Sequence, residues 1–372
     1  MINKAARFWR TVRHLRPVQI YGRLWFRLSR PRADMAGAPV ARRVPGMWQM
    51  PARRRPSMVG PTRFRFLNVE ADLADIGWDD PEQAKLWRYN QHYFEDLTAL
   101  DNQERRVWHG ALIGAWIEQN PPGVGTGWEP YPTSLRIINW IKWSLAGGEL
   151  SSEAIHSLAV QTRWLMQRIE WHLLGNHLFI NAKALLFAGL FFEGAEADAW
   201  RAKGAAIISG EIDEQFLADG GQFELSPMYH ALALEDLLDL TNLMTVYGAS
   251  LPDRIDVKIR SKAKAARRWL AIMSHPDGGI SFFNDAAFGI APGNDELFDY
   301  AERLGIFAET ERSEALVHLP ESGYARMEKA DAVAFVDFAR IGPDYLPGHA
   351  HADTLGFELS FAGQRLFVNS GT

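Results

Sequence analysis

Residues 175–192 read GNHLFINAKALLFAGLFF, a helix-length run that is apolar on nearly every side. A helix of this kind has no face to offer water and is stable only where other elements surround it. Its first turn nevertheless carries Asn176 and His177. Polar residues at that place are either caps for free amides or part of a site that exploits the positive helix N-terminus.

The rest of residues 80–310 supplies the surrounding elements. Apolar residues recur at i, i+3 and i+4 in 108–120, 133–147, 151–174, 199–218, 228–248 and 256–275, with Gly- and Pro-bearing turns between them. Helices that are apolar throughout alternate with amphipathic ones. That alternation predicts an inner and an outer layer, with helix pairs wound as an incomplete α/α toroid. Polar clusters centred on Tyr131, Asn176, Tyr229 and Asn284 stand 45, 53 and 55 residues apart, about one helix pair each. If the inner helices run parallel, their polar starts share one rim.

From residue 316 the pattern becomes β. Segments 331–342 and 354–371 have strand character, with alternation at Leu355, Phe357, Leu359 and Phe361 and a turn at Ala362-Gly363. Two or three strands do not make a self-standing sheet, so the sequence is expected to stop inside a β domain. The expected organisation is a basic arm over 1–70, a helical toroid over 71–315 and the start of a β-sandwich over 316–372.

Composition narrows the function. The 372 residues are 47% apolar and 23% charged, as in an ordinary globular protein. With no cysteine, disulfides and thiolate metal sites are excluded. No segment approaches the ~20 apolar residues of a membrane-spanning helix. The N-terminus lacks the apolar core of a secretion signal, which predicts a cytoplasmic chain. Residues 1–65 carry sixteen Lys and Arg against one acidic residue, Asp34, so the net charge of −5 divides into +15 and −20. Such an arm either straps itself across the acidic body or binds a polyanion or membrane surface. Trp9, Trp25, Phe26, Trp48 and Phe66 favour the strap, because they call for burial. Nucleic acid is not an expected partner.

Several clusters carry chemistry. Ser226 and Pro227 read as N-cap and first residue of a helix, which puts Tyr229 and His230 in its first turn. Tyr229 is then either a packed tyrosine or a rim group. Glu129, Tyr131 and Arg136 flank another helix start. His349 and His351, two apart in GHAHAD, share a face if extended and form either a partial metal site or an ordinary histidine pair.

Five segments in order, WEPYPTSLRIINWIKW, GNHLFINAKALLFAGLFFEG, DGGQFELSPMYHALALEDLLDL, FFNDAAFGIAP and GHAHADTLGFELSFAGQRLFVNSGT, resemble the heparinase II/III-like polysaccharide lyases. That family includes heparin and heparan-sulfate lyases and alginate-acting relatives, and its fold is an incomplete α/α toroid followed by an antiparallel β-sandwich. The resemblance implies β-elimination on a uronate-containing polysaccharide and allows a periplasmic or envelope location. It assigns Asn176 and His177 to the uronate carboxylate and Tyr229 and His349 to acid and base. Tyr131, Arg136, Glu224, His230, Asn284 and Asp285 are expected to line the substrate cleft. Tyr has a reference pKa of about 10, which favours Tyr229 as acid and His349 as base, with roles exchangeable for the other epimer. Zinc-bearing members use the second His, here His351, and an Asp whose place is taken by Asn369. Asn is the weaker ligand, which puts a structural zinc in question.

Two other functions fit the residues less fully. A toroid glycoside hydrolase needs two opposed carboxyl groups, for which Glu129, Glu224, Asp236 and Asp285 are candidates. A non-catalytic polyanion binder would work through the arm. Residues 1–372 alone are expected to fold as a poorly active lyase, because His349 sits on a β segment short of ladder partners.

Overall fold

A computed structural model describes residues 6, 8–10, 12–248, 251–307 and 315–371. After the arm helix α1 (Pro17–Leu28) comes a hairpin, β1 (Arg63–Phe66) and β2 (Val69–Asp72), then a one-turn helix α2 (Leu73–Ile76). The helical body follows as α3 (Lys85–Tyr93), α4 (Arg106–Gln119), α5 (Pro130–Leu145), α6 (Ser152–Gln167), α7 (Gly175–Phe191), α8 (Ala195–Gln215), α9 (Pro227–Tyr247), α10 (Ile255–Ile272) and α11 (Asn294–Arg303). The two layers expected from the alternation are present. Helix α7 is enclosed by α5, α6, α8 and α9, and Leu178, Ala182, Leu185 and Phe187 on it are fully buried. Each large apolar side chain buried in this way contributes roughly 1.5–3 kcal/mol.

A buried ionic network ties the inner helices together. Lys183 of α7 donates to Asp236 and Asp239 of α9, both at 2.7 Å, and Lys142 of α5 donates to Asp239 at 2.9 Å. From the arm, Arg54 makes a two-pronged pair with Glu235 at 2.7 and 2.9 Å. Asp236, one of the carboxyl groups considered for hydrolysis, is therefore bound to Lys183 on the inner wall.

The arm straps the body. Arg16 pairs with Glu214, Arg53 with Glu296 and Arg54 with Glu235, while Arg42 donates to the carbonyls of Leu190 and Phe192. Trp48 and Phe66 pack on the core as expected. Trp9 and Trp25 do not: they are 67% and 69% exposed, and α1, which carries Trp25, buries Gln19 and Gly22 instead.

Helix α6 ends at Gln167, seven residues before the apolar periodicity stops. The Glu170 amide donates instead to the Asn181 side chain of α7 at 2.9 Å. This tertiary bond replaces a helical one and leaves 168–174 as a turn that aims Glu170 inward.

Among the described residues the β region holds five strands, not two or three: β3 (Leu316–Leu319), β4 (Tyr324–Lys329), β5 (Ala332–Asp337), β6 (Phe357–Phe361) and β7 (Gln364–Phe367), an antiparallel meander in that order. Leu319, Tyr324, Val333 and Phe335 pack on Trp269, Met273 and Phe283 of the helical body. On β6 the expected polarity is inverted. Glu358 and Ser360 are buried, while Phe357 and Phe361 are exposed. Both buried polar groups hold His275, at 2.6 and 2.7 Å, and Glu358 also accepts the amides of Phe282 and Asn369. A buried carboxylate with three donors is well compensated. The outer face, with Phe357, Phe361 and Phe367, has no cover among the described residues.

Candidate active site

The starts of α5, α7 and α9 lie together at one end of the helical layer. The Tyr131 and His177 rings are 4.6 Å apart, and Tyr131 also packs edge-on against Tyr93. At the start of α9, Ser226 caps the helix by accepting the Tyr229 amide, and its hydroxyl donates to the Asp285 carbonyl at 2.6 Å. The Tyr229 ring lies against the His349 ring at 3.8 Å. Asn176, His177, Tyr229, His349, Glu224 and Asp285 thus form one connected cluster, half of it supplied by helix starts and the rest by loops.

Asn176 is not a cap. Helix α7 starts at Gly175 with Leu174 preceding it, and no side chain of its own closes the end. Glu224, from the segment before α9, accepts the Asn176 amide at 3.3 Å. A carboxylate already occupies the place where the helix N-terminus attracts an anion. Glu224 is buried, and that burial pushes its pKa up even though His349 and the Asn176 amide oppose it.

His349 is held from two sides. Nδ1 is 2.8 Å from Asp285 Oδ2. Nε2 stands 3.2 Å from Glu224 Oε2 and is not aligned with it as a hydrogen bond. The Asp285 amide also donates to the His349 carbonyl at 3.1 Å. A carboxylate on Nδ1 fixes which imidazole nitrogen carries the available lone pair.

His177 faces the cleft with its side chain 32% exposed and Nδ1 3.2 Å from Glu170 Oε2. Burial works against the charged ring, but Glu170 outweighs it, with help from Glu224, so the pKa is raised above its ordinary value. Glu170 is fixed in turn by Asn181, which donates to it at 3.2 Å. Sequence reading missed Glu170, whose one signal is an acidic residue in the turn before an apolar helix.

Three expected cleft residues are elsewhere. Arg136 is completely buried, with Nε on Gln161 at 2.9 Å and its guanidinium 3.7 Å above the Trp116 ring. It is a core arginine satisfied by a side-chain amide and an aromatic face. His230 accepts the Gln222 amide at 3.1 Å and faces the Ala266 carbonyl at 2.9 Å; burial pushes its pKa down to about 4. It keeps the Gln222–Glu224 segment in place from within. Asn284 is buried too. Its side chain donates to Leu225 and Tyr324 and accepts the His351 amide at 3.0 Å, so it shapes the His349 loop.

Backbone strain marks the same segments. Leu174, Leu225 and Asn284 have φ of 64°, 63° and 57°. Left-handed leucine is costly, by roughly 1–3 kcal/mol each, and clusters where a fold holds a site in place. Each of the three lies one or two residues from Asn176, Ser226 or Asp285. A cavity of about 480 Å³ lies elsewhere, between α1 and residues 166–171. Its lining of Tyr21, Trp25, Phe26 and Met166 offers no acid–base pair.

Asn369 Oδ1 accepts the Ser370 amide at 2.8 Å, and among the described residues no three His, Asp or Glu side chains converge as a ligand set.

Fold and cluster together define a toroid that carries a Tyr–His pair beside an Asn–His pair on its rim. The chain belongs to the heparinase II/III family: Heparinase II/III N-terminus matches residues 97–312, and Heparinase II/III-like, C-terminal matches 311–372. A heparin-sulfate lyase of Bacteroides stercoris is 31% identical over 216 residues, covering 53% of this chain and 31% of that protein. One from Pedobacter heparinus is 45% identical over 194 residues, covering 47% and 29%. Among solved structures, heparan sulfate lyase HepC from Pedobacter heparinus aligns at TM-score 0.53 and 19% identity, over 95% of this chain and 60% of that one. The heparinase III BT4657 gene product aligns at 0.57 and 20%, over 81% and 55%. At these identities the structures show the shared fold, a toroid followed by a β domain. The matches take in about a third of the length of the curated relatives.

Proposed function

We propose that this rim site performs β-elimination on a uronate-containing polysaccharide of the glycosaminoglycan type. The observation that carries the reading is the Tyr229–His349 ring pair at 3.8 Å, placed beside the side chains of Asn176 and His177. Elimination needs a base for the C5 proton and an acid for the departing O4. It also needs neutralisation of the uronate carboxylate, without which the C5 proton is too weakly acidic.

The chain's residues divide that work. Asn176 and His177 take the carboxylate and stabilise charge that develops on it, and one such donor is worth ~3 kcal/mol. His349, held through Nδ1 by Asp285, accepts the C5 proton at Nε2. The C5 electrons form the C4=C5 double bond, the C4–O4 bond breaks, and the Tyr229 hydroxyl protonates O4. Glu224 must release the α7 N-terminus or share it when the substrate carboxylate arrives. The names of the relatives favour a heparan-type polymer. The opposed carboxyl pair of a hydrolase is missing from the candidates: Glu224 and Asp285 bind one imidazole, and Glu129 pairs with Lys85 and Tyr89. The test is a panel of heparan sulfate, alginate, hyaluronan and a bacterial exopolysaccharide, read for ultraviolet absorbance of an unsaturated product. Absorbance from heparan sulfate is expected; depolymerisation without it would reject elimination.

The raised pKa of His177 gives this reading a pH signature. Its imidazolium persists above the ordinary value of about 6.5, so KM is expected to climb as pH rises through the raised pKa. His177→Gln should lift KM at low pH and flatten that climb. The same ion pair contributes stability fully below the unfolded pKa and loses it as pH rises through the folded one. An unchanged KM–pH profile in the Gln variant would assign carboxylate binding to another group.

A further inference from the structure

Four residues before His349, the same loop carries a contact that none of the chemistry above uses. The Tyr345 hydroxyl donates to Glu214 of α8 at 2.6 Å. The Arg16 guanidinium lies 3.8 Å above the Tyr345 ring and donates through its other nitrogen to Glu214 at 3.1 Å. Gln19 of α1 donates to the Tyr345 carbonyl at 3.1 Å. Arg16 and Gln19 brace one another as well, the Arg16 amide donating to the Gln19 side chain at 2.9 Å. Gln19 is buried, as is Gly22, on a helix that is mostly exposed.

The next residue, Leu346, reaches the start of α7. A Cβ placed on Gly175 would meet Leu346 Cδ2 at 2.5 Å and Glu224 Oε1 at 2.9 Å. Gly175 also has φ of +52°, so only glycine lets the loop and Glu224 approach the Asn176–His177 turn this closely. Past His349 the loop is tied down again, by Asn284 to the His351 amide and by Asp353 to the Asn284 amide. His349 therefore lies between two anchors. One belongs to the site itself, and the other is made by the N-terminal arm.

We propose that the arm positions the catalytic loop: Arg16 and Gln19, through Tyr345, hold His349 at the distance from Tyr229 that elimination requires. The proposal rests on the lyase reading for its kinetic consequence, whereas the contact itself does not depend on it. Arg16 and Gln19 are positioning residues, because neither touches the site. Tyr345 is held by a cation over its ring, a hydrogen bond at its hydroxyl and another at its carbonyl, so no single loss frees the loop completely.

The test compares the wild type with the Arg16→Ala/Gln19→Ala double variant, with Tyr345→Phe, and with Arg23→Ala as a control on the exposed side of the same helix. Amide hydrogen exchange across 343–353 is measured beside kcat and KM. The double variant is expected to exchange faster in 343–353 alone and to lose ~10–100-fold in kcat with little change in KM, as befits a base displaced by ~1 Å. Tyr345→Phe, which keeps the ring and loses only the hydroxyl, should fall between the double variant and the control. Unchanged exchange in 343–353 would overturn the proposal, and so would faster exchange throughout the chain, which marks a merely structural arm. Wild-type protein with no elimination activity would defeat the lyase reading, and the exchange data would still decide the clamp.

Discussion

Tyr229→Phe is expected to reduce turnover ~10²–10⁴-fold, the usual worth of a placed acid or base, and to leave folding intact. The substitution removes one oxygen and keeps the ring that packs on His349 at 3.8 Å. Burial raises the Tyr229 pKa first, and the nearby Asp285 and Glu224 carboxylates raise it further. The hydroxyl is therefore protonated at neutral pH and ready to donate to the leaving oxygen, whereas serving as a base would require a cation that these carboxylates do not provide. Steady-state rates on the most active polymer, with thermal melting alongside, check this. A near-normal rate with a lowered melting temperature would make Tyr229 a packing residue.

The second large effect concerns stability. Lys183→Met is expected to cost ~3–5 kcal/mol, because it removes one partner from a buried ionic network and leaves the carboxylates of Asp236 and Asp239 undercompensated. Lys142 still reaches Asp239 at 2.9 Å, but Asp236 has Lys183 as its cation, at 2.7 Å. Asp236 already titrates at about 6, because burial raises it more than Lys183 lowers it. Without Lys183 the burial acts unopposed, and Asp236 should titrate higher still. Denaturant unfolding of both proteins measures the difference. A loss below about 1 kcal/mol would show that water reaches these carboxylates and that the network is no part of the core.

The residues explain what could be read in advance. Inner helices were legible because α7 is apolar all round, and a start marked by polar residues recurs about every fifty positions. Tyr131, His177 and Tyr229 therefore came out on one rim. Arg136 and His230 did not join them, because a charged or imidazole side chain satisfied inside a core has the same one-dimensional signature as one at a site. Only the position of Trp116 or of the Ala266 carbonyl separates the two cases. Glu170 was hidden by periodicity that continues past the real end of α6, and the deciding bond comes from Asn181 on the next helix. On β6, alternation gave the strand but not its buried face, which is set by His275 holding Glu358 and Ser360 inward. The arm's strapping arginines followed from charge balance, whereas its exposed Trp9 and Trp25 ran against the burial expected of tryptophan.

Whether the proposed site cleaves by elimination is decided by the mass of the products. A defined uronate-containing oligosaccharide of the heparan type is cleaved, and the two fragments are weighed. Elimination predicts fragments that sum to the mass of the parent, with the C4=C5 double bond on the new non-reducing end. Fragments that together weigh one water more than the parent would mean hydrolysis and would contradict the roles assigned to Tyr229 and His349.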